Sequence, residues 1–194
     1  MRLRTEFLLS AMAPSQFPAA RLPEIAFLGR SNVGKSSLLN ALVGSKAAKV
    51  SSTPGRTRAI NFFQLKDERQ RPQMVLADLP GYGFAKISKS VSAEWPKFIE
   101  PYLAERAELT LCICLVDSNI PVQESDRQLL DWLRSADREF LVVATKVDRL
   151  SGNERTRNLA ALKKGLEVEE LLAVSAKTAH GLKELWGRVE GAGK

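Results

Sequence analysis

The chain has 194 residues, of which 44% are hydrophobic and 26% are charged. This length supports one sizeable hydrophobic core and is too short for two ordinary domains. The net charge of +7 is compatible with a polyanionic partner or an anionic membrane surface, although many basic proteins bind neither. One histidine and two cysteines are too few for a Cys/His zinc site, and no apolar stretch approaches the roughly 18 residues of a membrane-spanning helix.

The first residues show no clear periodicity, and we expect residues 1–21 to form an appendage to a single core domain of residues 22–194. A basic start followed by the apolar run Phe7–Ala13 loosely resembles a signal peptide. We reject that interpretation because the run is short and Glu6 adjoins it. We therefore expect a cytoplasmic protein without stable membrane insertion.

Short β-rich runs alternate with segments of helical period. The predicted strands are Glu24–Leu28, Ile60–Lys66, Gln73–Asp78, Leu109–Asp117, Glu139–Thr145 and Leu171–Ser175. The predicted helices are Lys35–Val43, Val91–Glu105, Val122–Ser135, Asn153–Gly165 and Leu182–Val189. Pro96 and Pro101 should kink or shorten the second of these helices.

This alternation predicts an α/β fold with helices on both faces of a mostly parallel, six-stranded sheet. Only the short polar stretch Asp67–Pro72 separates the second and third strands. So short a connection requires a hairpin, so we expect one strand to be antiparallel.

A phosphate-binding motif follows the first predicted strand. Gly29-Arg-Ser-Asn-Val-Gly-Lys-Ser36 fits G-x-x-x-x-G-K-[ST] and stands between a strand and a helix, as the motif requires. The glycines let the backbone curl closely around phosphate at a helix N-terminus. Lys35 should bridge the β- and γ-phosphates, and the Ser36 hydroxyl should bind Mg²⁺. A glycine-rich turn with a coincidental lysine is the alternative.

Three further segments lie at the ends of predicted strands, where such sheets bind ligands. Asp78-Leu-Pro-Gly81 places a carboxylate where it can reach the metal through water, although a plain turn also fits. Thr145-Lys-Val-Asp148 offers an aspartate that can accept hydrogen bonds from the ring N–H and exocyclic amine of guanine, a pattern that adenine lacks. The stem of Lys146 can cover the base. Ser175-Ala-Lys177 follows the last strand.

The ordered set of motifs resembles the translation-factor-type GTPases, and its details resemble the EngB (YihA/YsxC) family over roughly residues 22–190. Four stretches carry the resemblance: residues 29–37, Thr53-Pro-Gly-Arg-Thr-Arg-Ala-Ile-Asn-Phe-Phe63, Asp78-Leu-Pro-Gly-Tyr-Gly-Phe-Ala85 and Thr145–Asp148. Thr145 stands where GTPases generally have asparagine, but threonine is familiar in this family.

The resemblance implies a Ras-like core that binds and hydrolyses GTP with Mg²⁺, in which residues 53–59 form the first switch and residues 78–89 the second. It implies metal binding by Ser36, Thr57 and Asp78, and roles in hydrolysis for Lys35, Thr57, Asn32 and Gly81. Motifs and resemblance together predict that the nucleotide contacts Gly29, Arg30, Ser31, Asn32, Val33, Gly34, Lys35, Ser36, Ser37, Gly55, Arg56, Thr57, Arg58, Ala59, Asp78, Leu79, Pro80, Gly81, Thr145, Lys146, Val147, Asp148, Ser175, Ala176 and Lys177.

Two residues bear on how hydrolysis would proceed. Tyr82 occupies the position at which Ras-like enzymes carry a glutamine that orients the attacking water, so we predict slow intrinsic turnover that a partner or cation accelerates. Alternatively, Tyr82 only packs in the turn. Asn32 resembles the asparagine of potassium-stimulated relatives, so K⁺ is a candidate cofactor, but turn geometry also favours asparagine there.

The family's members are implicated in assembly of the large ribosomal subunit and in septation. Basic residues that could face ribosomal RNA are Lys46, Lys49, Arg56, Arg58, Lys86 and Lys89, and a solvated loop is the alternative. We expect a monomer that binds GTP, GDP and the large subunit or its RNA, and does not bind DNA. An RNA-binding module with incidental hydrolysis, and an ATPase, are the alternative functions.

Overall fold

The computed structural model describes residues 4–19, 21–44, 59–82 and 97–193. Within these ranges one sheet contains seven strands: β1 (Arg4–Ala11), β2 (Glu24–Gly29), β3 (Ile60–Lys66), β4 (Pro72–Asp78), β5 (Leu109–Asp117), β6 (Phe140–Thr145) and β7 (Leu171–Ala173). The strand order is β1-β3-β4-β2-β5-β6-β7. β3 is antiparallel to both of its neighbours, and the other pairings are parallel. The carboxyl ends of β2, β4, β5, β6 and β7 therefore share one edge of the sheet, called here the carboxyl edge.

The predicted α/β fold with one antiparallel strand is confirmed, but the predicted count of six strands is wrong. The seventh strand is β1, which lies within the segment predicted as an appendage. It is an edge strand, so its residues are mostly exposed or half-buried, and its pairing with β3 shifts register between Phe7 and Leu9. Such a shift breaks the two-residue alternation by which a strand is recognised. The division of the chain at residue 21 stays a prediction.

Five helices are described: α1 (Lys35–Val43), α2 (Ile99–Glu105), α3 (Glu124–Ser135), α4 (Gly152–Gly165) and α5 (Leu182–Ala192). The second helix was predicted to begin at Val91, and residues 91–96 lie outside the described residues. Pro101 stands in the first turn of α2, where its missing N–H removes no helical hydrogen bond. None of the described helices is long and apolar enough to cross a bilayer.

The helices cover both faces of the sheet, as predicted. α1 and α5 pack on one face, and α2, α3 and α4 pack on the other. Because both faces of the sheet are covered, β5 is apolar on both sides. Leu111, Ile113 and Leu115 lie on the face covered by α1 and α5, and Cys112 and Cys114 lie on the face covered by α2, α3 and α4. Both cysteines are free and buried, and burial raises the pKa of the Cys112 thiol to about 12. They are therefore unreactive core residues.

Candidate functional site

The turn from β2 into α1 forms a tight loop at the carboxyl edge. A Cβ on Gly29 would come within 2.8 Å of Val33 Cγ1 and 3.1 Å of the Leu115 carbonyl oxygen, so only glycine fits there. Gly34 is the N-cap of α1 with φ of 103°, in a backbone region that favours glycine. A loop closed in this way at a helix N-terminus has the geometry of a phosphate-binding loop.

The two charged groups predicted to hold the phosphates and the metal lie together. Lys35 Nζ, at the start of α1, donates a hydrogen bond to Asp78 Oδ1, at the end of β4. Both side chains are largely buried, with 11% and 7% exposed. Ser36 and Ser37 follow Lys35 in the first turn of α1. The structure thus brings the predicted phosphate and metal residues of the described chain to one place.

The segment after Asp78 runs beside the start of the phosphate loop and parallel to it, with a parallel bridge between Arg30 and Tyr82. The Leu79 N–H donates to the Phe27 carbonyl at 3.2 Å. A Cβ on Gly81 would come within 3.0 Å of the Ser31 Cα, N and Oγ atoms, so Gly81 touches the loop. The Tyr82 side chain is 2% exposed and its hydroxyl donates to Asp126 Oδ1 at 3.0 Å. Its phenol is therefore packed in the core, as the alternative interpretation of Tyr82 supposed.

The Thr145–Asp148 segment is fastened to the phosphate loop by side-chain hydrogen bonds. Thr145 Oγ1 lies 2.7 Å from the Val33 carbonyl oxygen, to which it can donate, and is buried. Lys146 Nζ donates to the Asn32 carbonyl oxygen at 2.6 Å and to Asp117 Oδ2 at 2.7 Å. These bonds hold the lysine stem across the edge of the sheet, where it can cover a base.

A serine orients the carboxylate predicted to recognise guanine. Ser175 Oγ donates to Asp148 Oδ1 at 2.6 Å and accepts from the Lys177 N–H at 3.2 Å. The Ser175 hydrogen bond is the main reason that the pKa of Asp148 lies below its usual range. Asp148 is therefore ionised at neutral pH, and Ser175 contacts its Oδ1 and not its Oδ2.

These segments surround a cavity of about 490 Å³, within the size range of ligand pockets. Its lining residues are Gly34, Ser37, Leu38, Thr145, Lys146, Asp148, Arg149, Val174, Ala176 and Lys177. Residues from both the phosphate loop and the base loop therefore face one space.

The predicted site residues of the first switch lie partly outside the described residues. Ala59 immediately precedes β3, near Asp78, because β3 runs in the reverse direction and Asn61 pairs with Asp78. Gly55, Arg56, Thr57 and Arg58 lie outside the described residues, as do the basic residues predicted to face RNA.

Sequence reasoning missed two residues that hold Lys146. Asp117 ends β5, and its carboxylate accepts from Lys146 and from the Asn119 backbone and side chain. Burial alone would raise the Asp117 pKa, but these hydrogen bonds outweigh it and lower the pKa. Asn119 Nδ2 also donates to the Lys146 carbonyl oxygen at 3.3 Å. The only signal in the sequence was an acidic residue at the end of a buried strand.

The α/β fold, the phosphate loop and an aspartate held beside it define the class of P-loop GTPases. Residues 24–146 match the family model described as 50S ribosome-binding GTPase. The chain is 67% identical to a probable GTP-binding protein EngB of Acidobacterium capsulatum, over 97% of this chain and 90% of the relative. It is 57% identical to the corresponding protein of Koribacter versatilis, over 100% of this chain and 96% of that protein. The chain belongs to the EngB family of GTP-binding proteins and is a GTPase.

Solved structures agree with this assignment. A probable GTP-binding protein engB superimposes with a TM-score of 0.68 at 25% identity, covering 87% of this chain and 97% of that one. Era, solved with MgGDPNP and a fragment of 16S ribosomal RNA, superimposes with a TM-score of 0.69 at 23% identity, covering 88% of this chain and 56% of that one. The likeness to Era concerns the fold.

Proposed function

We propose that this GTPase is a nucleotide-controlled switch in assembly of the large ribosomal subunit, that it is needed for normal cell division and septation, and that it acts in the cytoplasm as a monomer. The observation that supports it best is the cavity at the carboxyl edge, where the phosphate loop meets Lys146 and Asp148. The match to the 50S ribosome-binding GTPase model supports the choice of partner.

The phosphates would bind at the phosphate loop and the N-terminus of α1. Lys35 forms an ion pair with Asp78 there. Binding of a triphosphate and a cation would replace this ion pair by two interactions, one between Lys35 and the phosphates and one between Asp78 and the hydrated metal ion. Because each charge keeps an opposite charge beside it, neither is left unpaired in a largely buried place.

The side chains present fit Mg²⁺. Ser36 supplies a hydroxyl, Asp78 a carboxylate and the substrate its phosphate oxygens, all hard donors. Among the described residues no cluster of three or more His, Cys, Asp or Glu side chains could cage a metal alone. A site with few protein ligands is what Mg²⁺ uses beside phosphates, where it neutralises developing charge. Thr57 would complete it by family resemblance.

Guanine would lie in the cavity against Lys146, with its N1–H and 2-amino group donating to Asp148. Adenine has no such pair of donors, so ATP would leave a carboxylate without its partners. Ser175 fixes the Asp148 carboxylate for this contact. We therefore expect specificity for GTP and GDP over ATP.

Intrinsic hydrolysis would be slow. Tyr82 has no side-chain amide of the kind that orients water in related enzymes, and its hydroxyl donates to Asp126. Acceleration would come from the ribosomal partner or from K⁺. Asn32 is exposed with φ of 65°, a turn conformation that leaves both of its interpretations open. Equal wild-type turnover in K⁺ and Na⁺, or an unchanged K⁺ response in Asn32→Ala, would reject potassium.

Positively charged side chains of the protein would contact the phosphates of ribosomal RNA. The net charge of +7 supports such contacts, which release counterions and weaken steeply with salt. Filter binding of ribosomal subunits across a salt series, with a GTP analogue and with GDP, tests this. The absence of both a salt slope and a nucleotide effect would reject it.

The test of the proposed function is single-turnover GTP hydrolysis with and without large ribosomal subunits. A timed switch predicts that large subunits accelerate hydrolysis and that small subunits do not. Nucleotide-dependent binding without acceleration would instead indicate an RNA-binding module in which hydrolysis is incidental.

A further inference from the structure

Tyr82 connects the phosphate loop to α3. The Ser31 N–H donates to the Tyr82 carbonyl oxygen at 3.0 Å, and the Tyr82 N–H donates to the Gly29 carbonyl oxygen at 3.4 Å. Its side chain passes through the core to α3, where the hydroxyl donates to Asp126 Oδ1 at 3.0 Å. The residue is thus fixed at its backbone by the loop and at its side chain by the helix.

The position of Gly81 depends on this attachment. Gly81 precedes Tyr82 and lies so close to Ser31 that a Cβ would come within 3.0 Å of the Ser31 backbone. A shift of Tyr82 toward or away from the loop would move Gly81 with it, because one peptide bond joins them. Gly81 is the residue of this turn that we expect beside the terminal phosphate.

The Asp126 carboxylate is buried, with 5% of the residue exposed. Burial raises its pKa, and the Tyr82 hydrogen bond and the positive charge of Arg30 oppose that rise. Arg30 belongs to the phosphate loop and forms an isolated β-bridge with Tyr82. Among the described residues its buried Nε atom has no hydrogen-bond partner. A carboxylate of α3 therefore accepts a hydrogen bond from Tyr82 and feels the positive charge of Arg30, and both residues border the phosphate site.

A purely structural explanation is that Asp126 stabilises the N-terminus of α3, where acidic residues are favourable. That effect needs no buried tyrosine hydroxyl and no contact with the phosphate loop. The hydrogen bond to Tyr82 is therefore the feature that stability of the helix does not explain.

We propose that Asp126 is a positioning residue for GTP hydrolysis: through Tyr82 it holds Gly81 against the phosphate loop at the place of the terminal phosphate. The inference rests on the proposed contact between Gly81 and that phosphate. GDP does not extend to Gly81, so the effect is specific to the triphosphate and to its hydrolysis.

The primary variants are Tyr82→Phe, which removes only the hydroxyl, and Asp126→Leu, which removes the acceptor. In each we expect the single-turnover rate of GTP hydrolysis to fall about 10-fold, since small misplacements of reacting groups are costly. Affinity for GDP should stay within about twofold of wild type. The double variant should be about as slow as the slower single variant, because the two residues act as one unit.

Two controls separate positioning from general stability. Asp126→Asn keeps a hydrogen-bonding partner for Tyr82 and should retain most of the wild-type rate. Tyr102→Phe removes a matched buried hydroxyl, which donates to Glu24 Oε2 at 2.8 Å near the opposite edge of the sheet. Tyr102→Phe should lower the urea midpoint but leave the hydrolysis rate unchanged.

Folded Tyr82→Phe and Asp126→Leu proteins that hydrolyse GTP within twofold of wild type would overturn the inference. So would parallel losses of GDP and GTP affinity with an unchanged rate per bound GTP, or an equal slowing in Tyr102→Phe. The variant Gly81→Ala distinguishes failure of this inference from failure of the proposed contact between Gly81 and the terminal phosphate. If Gly81→Ala slows hydrolysis and Tyr82→Phe does not, the inference alone fails; if Gly81→Ala has no effect, the proposed phosphate contact fails.

Discussion

At the scale of single residues, we expect nucleotide specificity to follow from Asp148. Asp148→Asn keeps an oxygen that can accept from Ser175 but replaces the other acceptor with an N–H donor, which faces the guanine 2-amino group. We expect affinity for GTP to fall about 100-fold, the equivalent of two weakened charge-assisted hydrogen bonds. Xanthosine triphosphate, whose C2 carbonyl can accept from the amide, should bind the variant better than GTP does.

Competition binding with the two nucleotides measures this change. Asp131→Asn is the matched control, because the Asp131 side chain is 71% exposed and, within the part of the chain that the structure describes, pairs with Arg134 of its own helix. An Asp148→Asn variant that keeps wild-type preference for GTP would contradict the assignment of the base-binding carboxylate.

Asp117 offers a second prediction at this scale, because it holds the lysine that we expect to cover the base. Asp117→Ala removes the 2.7 Å contact with Lys146 Nζ, and among the described residues it leaves this ammonium group with the Asn32 carbonyl as its hydrogen-bond partner. GTP and GDP affinities should fall together by about 10-fold, since the loss concerns the base and not the terminal phosphate. Titration of both nucleotides tests this, and a loss confined to GTP would contradict it.

The sequence identified Asp148 but not Asp117, Asn119 or Asp126, and the difference is physical. Asp148 lies in an ordered set of motifs whose spacing can be read along the chain. The other three act through partners on distant segments, such as the pairing of Asp126 with Tyr82. Acidic residues at strand ends and helix starts are common, so only the three-dimensional contacts distinguish these.

At the scale of elements, the turn between β3 and β4 depends on Asp67. Its Oδ1 accepts from the Arg69 and Arg71 backbone N–H groups at 2.9 Å each, and its Oδ2 accepts from Arg71 Nε. The Arg71 backbone hydrogen bond is the main cause that lowers the Asp67 pKa. A carboxyl with a lowered folded-state pKa contributes stability above its unfolded pKa of about 3.9, and that contribution disappears as the pH falls.

Asp67→Asn should therefore be less stable than wild type at pH 7, and the gap should shrink as the pH falls below about 4. Urea midpoints of both proteins at pH 7 and pH 3 test the sign. A gap that is unchanged or larger at pH 3 would contradict the expected titration of Asp67.

The sequence predicts a strand correctly where burial of both faces gives a continuous apolar run or where a short connection requires a hairpin. Ile60–Lys66 and Leu109–Asp117 match the structure to the residue, because apolar runs bounded by turn residues define them. β1 could not be predicted, because backbone hydrogen bonds to β3 and not a buried apolar face make it a strand. Helix α3 begins at Glu124 and not at Val122, since the N-cap residue Gln123 has extended backbone.

At the scale of the whole molecule, a buried network near the amino edge of the sheet joins α2, β2 and the N-terminal segment. Glu24, 1% exposed, accepts from Arg106 Nη2 at 2.5 Å and from the Tyr102 hydroxyl. Arg106 also donates to the Pro18 carbonyl oxygen at 2.8 Å. Arg106→Leu leaves the Glu24 charge without its cation and should cost about 3 kcal/mol of unfolding free energy.

The double variant Glu24→Leu, Arg106→Leu removes both charges and should be more stable than Arg106→Leu alone, because no buried charge is left unpaired. Urea unfolding of the three proteins tests this, with GDP affinity of the folded variants as a control that should not change. A double variant that loses the sum of the two single effects would contradict the expected coupling.

Separate loops at the carboxyl edge form one pocket, which we propose binds a guanine nucleotide and Mg²⁺. Isothermal titration calorimetry of the pure, folded protein with GTP, GDP and ATP in the presence of Mg²⁺ tests it most directly. We predict saturable one-to-one binding of GTP and GDP and at least about 100-fold weaker binding of ATP, as expected when adenine leaves the Asp148 carboxylate without its two donors. No heat from either guanine nucleotide, or equal affinity for ATP, would show that this pocket is not a selective site for guanine nucleotides.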